Sequence, residues 1–164
     1  MAYITLNRTK LRENYNYLND LFKKNDIQWA EVTKLLCGNK SFLQEVMDLG
    51  VQQVCDSRVT NLKIIKQMAP NMETIYIKPP AKRSVKSIVQ YADISFNTEL
   101  STIRLLSEEA GRQEKVHKVI IMIELGELRE GVMRDDLLEF YSQVFELPHI
   151  EVVGLGANLS CLYG

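Results

Sequence analysis

Val116-His117-Lys118-Val119-Ile120-Ile121-Met122-Ile123 is the longest apolar run in the chain. It is too β-branched and too short for anything but a buried strand, and strands with such continuous runs belong to parallel sheets covered by helices. Towards the C-terminus, a Gly-bearing loop precedes a helical period from about Arg134 to Phe145, and a last strand follows at Ile150 to Ala157. Towards the N-terminus the same alternation runs backwards. It gives a helix over Thr98 to Ala110 with a strand at Ile94 to Phe96, a helix from about Arg83 to Tyr91 with a strand at Thr74 to Ile77, and a helix over Ser57 to Met68 with a strand at Val51 to Cys55. Ser41 and Gln44, in capping-box spacing, open a helix over Ser41 to Leu49 that Gly50 stops. Before it stand a strand at Trp29 to Lys34, a turn at Cys37-Gly38-Asn39, and a first helix from Asn7, its N-cap, to Lys24. Leu11, Tyr15, Leu18, Leu21 and Phe22 form the apolar face of that first helix.

Six parallel strands with intervening helices fit either an open doubly wound sheet or part of a (β/α)8 barrel. A complete barrel uses about 250 residues, roughly 31 per unit, so 164 residues hold five units and a final strand. No GxGxxG or GxxxxGK[ST] follows any strand, which removes the usual reasons for a nucleotide-binding sheet. The sequence therefore predicts an α/β fold, a partial (β/α)8 TIM barrel of about six strands with helices outside. No linker or low-complexity stretch divides it.

A net charge of −1 with 46% hydrophobic and 25% charged residues excludes disorder and gives no basic surface for nucleic acid. No apolar run approaches the roughly 18 residues of a membrane span. Cys37, Cys55 and Cys161 are scattered and odd in number, as in reduced cytoplasmic proteins. His117 and His149 lack partners at ligand spacing, so no metal site is expected.

Ligands of such folds gather at the carboxyl ends of the strands, here Lys34, Asp56, Lys78, Asn97, Glu124 with Arg129 beyond it, and Asn158 with Ser160. Lys34 closes one apolar run and precedes Leu35-Leu36, which places it inside; a buried lysine is the kind that becomes a Schiff-base nucleophile. The alternative is a strand-end lysine in solvent. Arg129, between Gly126 and Gly131, either meets an anionic ligand oxygen or sits on a solvated turn. Asn158 follows Gly154-Leu155-Gly156-Ala157, whose glycines mark close approach of backbone or ligand, and its amide equally suits a strand-end turn. Glu127, Glu130, Asp135 and Asp136 read as a charged surface entering a helix.

Together these segments resemble the alanine racemase family, fold-type III enzymes that use pyridoxal 5'-phosphate (PLP), and most nearly its ornithine-racemase-like branch. Val32-Thr33-Lys34-Leu35-Leu36-Cys37-Gly38-Asn39 stands where the family carries its lysine. Val54 to Ser57 matches the end of the second strand, Gly126 to Gly131 the arginine loop after the fifth, and Gly154 to Cys161 the sixth. The resemblance implies a racemase that interconverts L- and D-amino acids. Lys34 would hold PLP as a Schiff base and move the Cα proton, and Arg129 would contact the phenolic oxygen of the ring. Asn158, Ser160 and Asn97 complete the cofactor-binding set. Asn158 departs from the histidine usual in alanine racemases, Cys37-Gly38-Asn39 from a phosphate-binding tyrosine, and Met122 from a lysine that becomes carbamylated; the last two argue against alanine as substrate. Family members continue into two more β/α units and a C-terminal β domain, so residues 1–164 read as an N-terminal portion. The partners implied are an amino acid and, across the open sixth strand, a second copy in a homodimer or swapped assembly. The alternatives are a non-catalytic PLP carrier and an inactive truncated fragment.

Overall fold

The computed structural model describes residues 4–159. Six strands form one parallel sheet in sequence order: β1 (Glu31–Val32), β2 (Gln53–Asp56), β3 (Glu73–Tyr76), β4 (Ile94–Asn97), β5 (His117–Ile123) and β6 (Ile150–Ala157). The sheet is open at β1 and β6. Helix α1 (Arg8–Lys24) precedes it, and α2 (Lys40–Met47), α3 (Val59–Met68), α4 (Val85–Tyr91), α5 (Leu100–Arg112) and α6 (Leu137–Phe145) connect its strands. The predicted partial barrel with helices outside is the fold observed.

Most of the core lies between sheet and helices. Leu43, Val54, Leu62, Ile65, Ile88 and Leu106 form one buried cluster there, and Ile103, Val119, Ile121, Val132 and Val144 form another. Cys55, Ile75 and Ile94 lie on the opposite, concave face, with Ala30, Ile77, Phe96 and Ile120 packed partly buried against them.

Several expectations change in detail. The first strand, read as Trp29 to Lys34, is only Glu31–Val32, because Thr33–Leu36 winds into a 3-10 turn. Asn39 caps α2 by accepting the Phe42 N–H at 3.2 Å, in place of the Ser41 box. Asn7 caps α1 as predicted, accepting from Lys10 N at 3.0 Å. The apolar face of α1 is not buried: Leu18 and Leu21 are 36% and 42% exposed, and the helix leans on Trp29 through Tyr15 and Phe22, each with ring centroids 5.4 Å away. It lies beside the edge at β1, where no further strand among the described residues covers it.

A polar chain runs under the helices between β4 and β5. Asn97 Nδ2 donates to the Ser95 carbonyl at 2.8 Å and to Ser95 Oγ at 2.9 Å, and Ser95 Oγ lies 2.8 Å from His117 Nε2. A hydroxyl carries one donor and two acceptor sites, so Ser95 Oγ accepts from Asn97 and still pairs with His117 Nε2 in either tautomer of the neutral ring. Burial, reinforced by Lys115 and opposed by Asp93, pushes the His117 pKa down to about 4. Folded His117 thus refuses a proton that the unfolded chain accepts near pH 6.5, and stability is lost as pH falls through that window. Urea unfolding at pH 7 and pH 5 should show a decrease that shrinks by about 2 kcal/mol in His117→Asn; an unchanged pH dependence would contradict the neutral imidazole.

Candidate functional site

A two-residue strand is too short to orient the turn that follows it, so the Lys34 turn is tied down from β2. The Thr33 hydroxyl donates between the Cys55 carbonyl at 3.2 Å and Asp56 Oδ2 at 3.1 Å. Asp56 is 0% exposed. It also accepts from Asn61 Nδ2 at 3.0 Å and from the Arg58 N–H at 2.8 Å, donors that offset the cost of burying its charge. Asp56 is therefore a strut rather than a ligand. Burial pushes the Cys55 thiol up to about 12, with Asp56 and Glu31 adding to the shift, so Cys55 remains an unreactive thiol.

Lys34 itself is exposed, which corrects the expectation of an interior lysine. The apolar residues on either side of it do not enclose it: Leu35 is 87% exposed, and Val32 is half exposed.

After β5 the chain folds into a closed loop. Glu124 Oε1 accepts from the backbone N–H groups of Leu128 at 2.9 Å and Gly126 at 2.5 Å, and these bonds, that to Leu128 foremost, hold its carboxyl below the usual range. Val132 N donates to the Met122 carbonyl at 2.7 Å, and Glu124 N donates to the Val132 carbonyl at 3.0 Å, closing the loop. Gly131 makes the closure possible: its φ is +132° and a Cβ there would overlap the Glu124 backbone.

The loop brings Arg129 and Glu130 to the concave face of the sheet. There a hollow of about 480 Å³ gathers Lys34, Arg129 and Asn158 from three different strand ends. Its floor is apolar, built from Cys55, Ile75, Ile77, Phe96, Ile120 and Met122.

Asn97 does not join them. Its register partner Ile121 packs against the helices, and Asn97, 0% exposed, faces the same way, with Oδ1 unpaired. Ser160 lies outside the described residues. Glu130 belongs to the hollow instead of the helix-entry surface: it accepts from Asn158 Nδ2 at 3.0 Å, and its other oxygen is 3.8 Å from Arg129 Nε. Its only advance sign was its place beside Arg129 and Gly131, because charge patterning reads every carboxylate in a loop as solvated. Another hollow, of about 450 Å³, lies at the amino ends of the strands, where Lys66 is spent on Asp93 at 2.7 Å and on the Met72 carbonyl at 2.8 Å. Among the described residues no group of three His, Cys, Asp or Glu side chains converges as metal ligands would.

The family profile described as alanine racemase, N-terminal domain, matches residues 6–163. The chain belongs to this family. Ornithine racemase of Acetoanaerobium sticklandii is 38% identical over 162 residues, 98% of this chain and 45% of the relative. The chain thus spans about half the length of the curated relatives it matches. Among solved structures, alanine racemase of Clostridium difficile 630 superposes with a TM-score of 0.81 at 16% identity, covering 92% of this chain and 40% of that one. PipY of Synechococcus elongatus PCC7942, with PLP bound, superposes at 0.71 and 16% identity, covering 82% and 64%. At that identity both show the shared barrel fold alone.

Loop closure can be tested at its glycines. Gly126 also has a positive φ, +112°, but open space around it. Gly131→Ala should cost at least about 1 kcal/mol more than Gly126→Ala in urea unfolding, with faster proteolysis between Leu125 and Arg134; equal costs would contradict the close backbone packing at Gly131.

Proposed function

We propose that this chain is the cofactor-bearing portion of a PLP-dependent amino acid racemase, in which Lys34 holds PLP covalently through Nζ and takes and returns the Cα proton. The observation that carries the reading is the convergence of Lys34, Arg129 and Asn158, from three strand ends, on one hollow with an apolar floor. That donor set fits the cofactor: an amine for its aldehyde, a guanidinium for its phenolic oxygen, and an apolar surface with one amide for its ring.

Bound PLP supplies an electron sink for the pair left on Cα when the proton departs. Lys34 Nζ would hold the cofactor and would serve as the base on one face of Cα. Arg129 holds the phenolic oxygen by charge-assisted donation. Asn158 orients the ring and takes no part in proton transfer, because an amide does not titrate. Two further β/α units would complete the barrel, and a β domain would bear the opposing base. Leu155 and Leu159, 52% and 76% exposed beside the open edge, suit coverage in a homodimer or swapped assembly. The substrate is an amino acid, and the ornithine racemase relative favours one with a second amine. No helix among the described residues is long and apolar enough to cross a membrane, and the free thiols of Cys37 and Cys55 suit the cytoplasm.

A non-catalytic PLP carrier is the second reading, favoured by a hollow whose lining among the described residues includes no tyrosine or histidine to oppose Lys34. Incubation with PLP followed by borohydride should leave one reduced adduct, on Lys34 by peptide mass spectrometry, and none in Lys34→Ala. Adducts spread over surface lysines would overturn both readings. Exchange of the Cα proton of an amino acid in deuterated water separates them: the racemase exchanges it, the carrier does not. Sedimentation should give a dimer, and a monomer at all concentrations would refute the proposed assembly.

A further inference from the structure

We infer that Glu130 is a positioning residue that ties the arginine loop to the end of β6 by holding the Asn158 amide; the inference rests on the PLP reading of the same hollow. Glu130 and Asn158 are 28 positions apart, on separate strand-end segments, and both line the hollow with Lys34. Among its lining residues Glu130 is the sole carboxylate.

The contact with Asn158 fixes more than proximity. An ionised carboxylate only accepts, so Asn158 must present Nδ2 to it, at 3.0 Å, and Oδ1 becomes the free atom of the amide. Without Glu130 the two ends of the amide are interchangeable, and the residue is free to turn to solvent. The Arg129 contact is of a different kind. At 3.8 Å, from a guanidinium whose side chain is 62% exposed, it is beyond hydrogen-bond range and screened by water, whereas the Glu130 side chain is only 22% exposed. Glu130 therefore acts mainly as a hydrogen-bond acceptor for Asn158 and only secondarily as a charge.

That distinction gives the test. Gln keeps an acceptor oxygen and loses the charge; Ala loses both. In the PLP-loaded protein, the dissociation constant of the cofactor, read from the absorbance of the bound form, should rise about tenfold in Glu130→Ala and in Asn158→Ala, the loss expected for one hydrogen bond. It should stay within about twofold of the parent in Glu130→Gln. The double variant Glu130→Ala/Asn158→Ala should be no weaker than the worse single variant, because both act through one contact. A purely structural role would lower the melting temperature without this non-additivity. Equal weakening by Gln and Ala, losses that multiply in the double variant, or unaltered retention in Glu130→Ala would each overturn the assignment. If borohydride labels Lys34 in the parent and Glu130→Ala retains PLP equally well, this inference alone fails; if Lys34 is never labelled, the PLP reading fails and this one with it.

Discussion

The buried carboxylate of Asp56 is the constraint on which the site depends. β1 contributes only two residues of ladder, paired as Glu31 with Val54 and Val32 with Cys55, and the chain leaves it at once for a 3-10 turn. Nothing in that short pairing fixes where the turn points. Asp56 does so by accepting from Thr33, one residue before Lys34, while Asn61 and the Arg58 N–H bind it to the start of α3. The lysine is thus referenced to β2, paired on both sides, rather than to the two-residue edge strand. An ion with three donors in a closed site is costly to disturb, and that cost keeps an exposed side chain in register with a distant loop.

The two faces of the sheet divide the work. On the helix side, interdigitated Val, Ile and Leu provide most of the burial, and among the buried polar residues Ser95, Asn97 and His117 bond to one another, leaving Asn97 Oδ1 unpaired. On the concave side the floor is apolar and only partly covered, and charged groups stand at its rim. Such a surface receives a flat, partly apolar ligand with polar groups at its perimeter. Strands carry the floor; the loop held by backbone bonds to Glu124 carries Arg129 and Glu130, and the turn tied to Asp56 carries Lys34.

How much of this could be read in advance follows from the kind of signal. The run of β5, the alternation around it and the Asn7 cap are local patterns, and local patterns survive folding. Arg129 and Asn158 were legible as candidates because glycines flank them. The Lys34 turn was not, since Thr33 leaves the strand to reach Asp56, 23 residues away. Asn97 was misassigned because strand-end position says nothing about which face a residue takes when adjacent residues point oppositely. Glu130 was lost among the loop carboxylates, because only the tertiary fold brings Asn158 to it.

Asn158 reaches Glu130 through an irregularity in β6. Val152 pairs with Val119, but Gly154 pairs with Ile120, so Val153 is an extra residue in the strand. A one-residue bulge reverses the facing of everything after it. Without it, Gly154, Gly156 and Asn158 would continue on the helix side with Val152. With it, Leu155 pairs with Ile121 and takes the helix side, and the two glycines turn to the hollow with Ile120 and Met122. A Cβ at Gly156 would stand 2.7 Å from Met122 Sδ and 2.9 Å from Ile120 Cγ2, so a larger residue there requires those side chains to shift. The alternation then carries Asn158 to the same face, within 3.0 Å of Glu130. One inserted residue thus aims the amide at the hollow and turns Leu155, 52% exposed, to the other face.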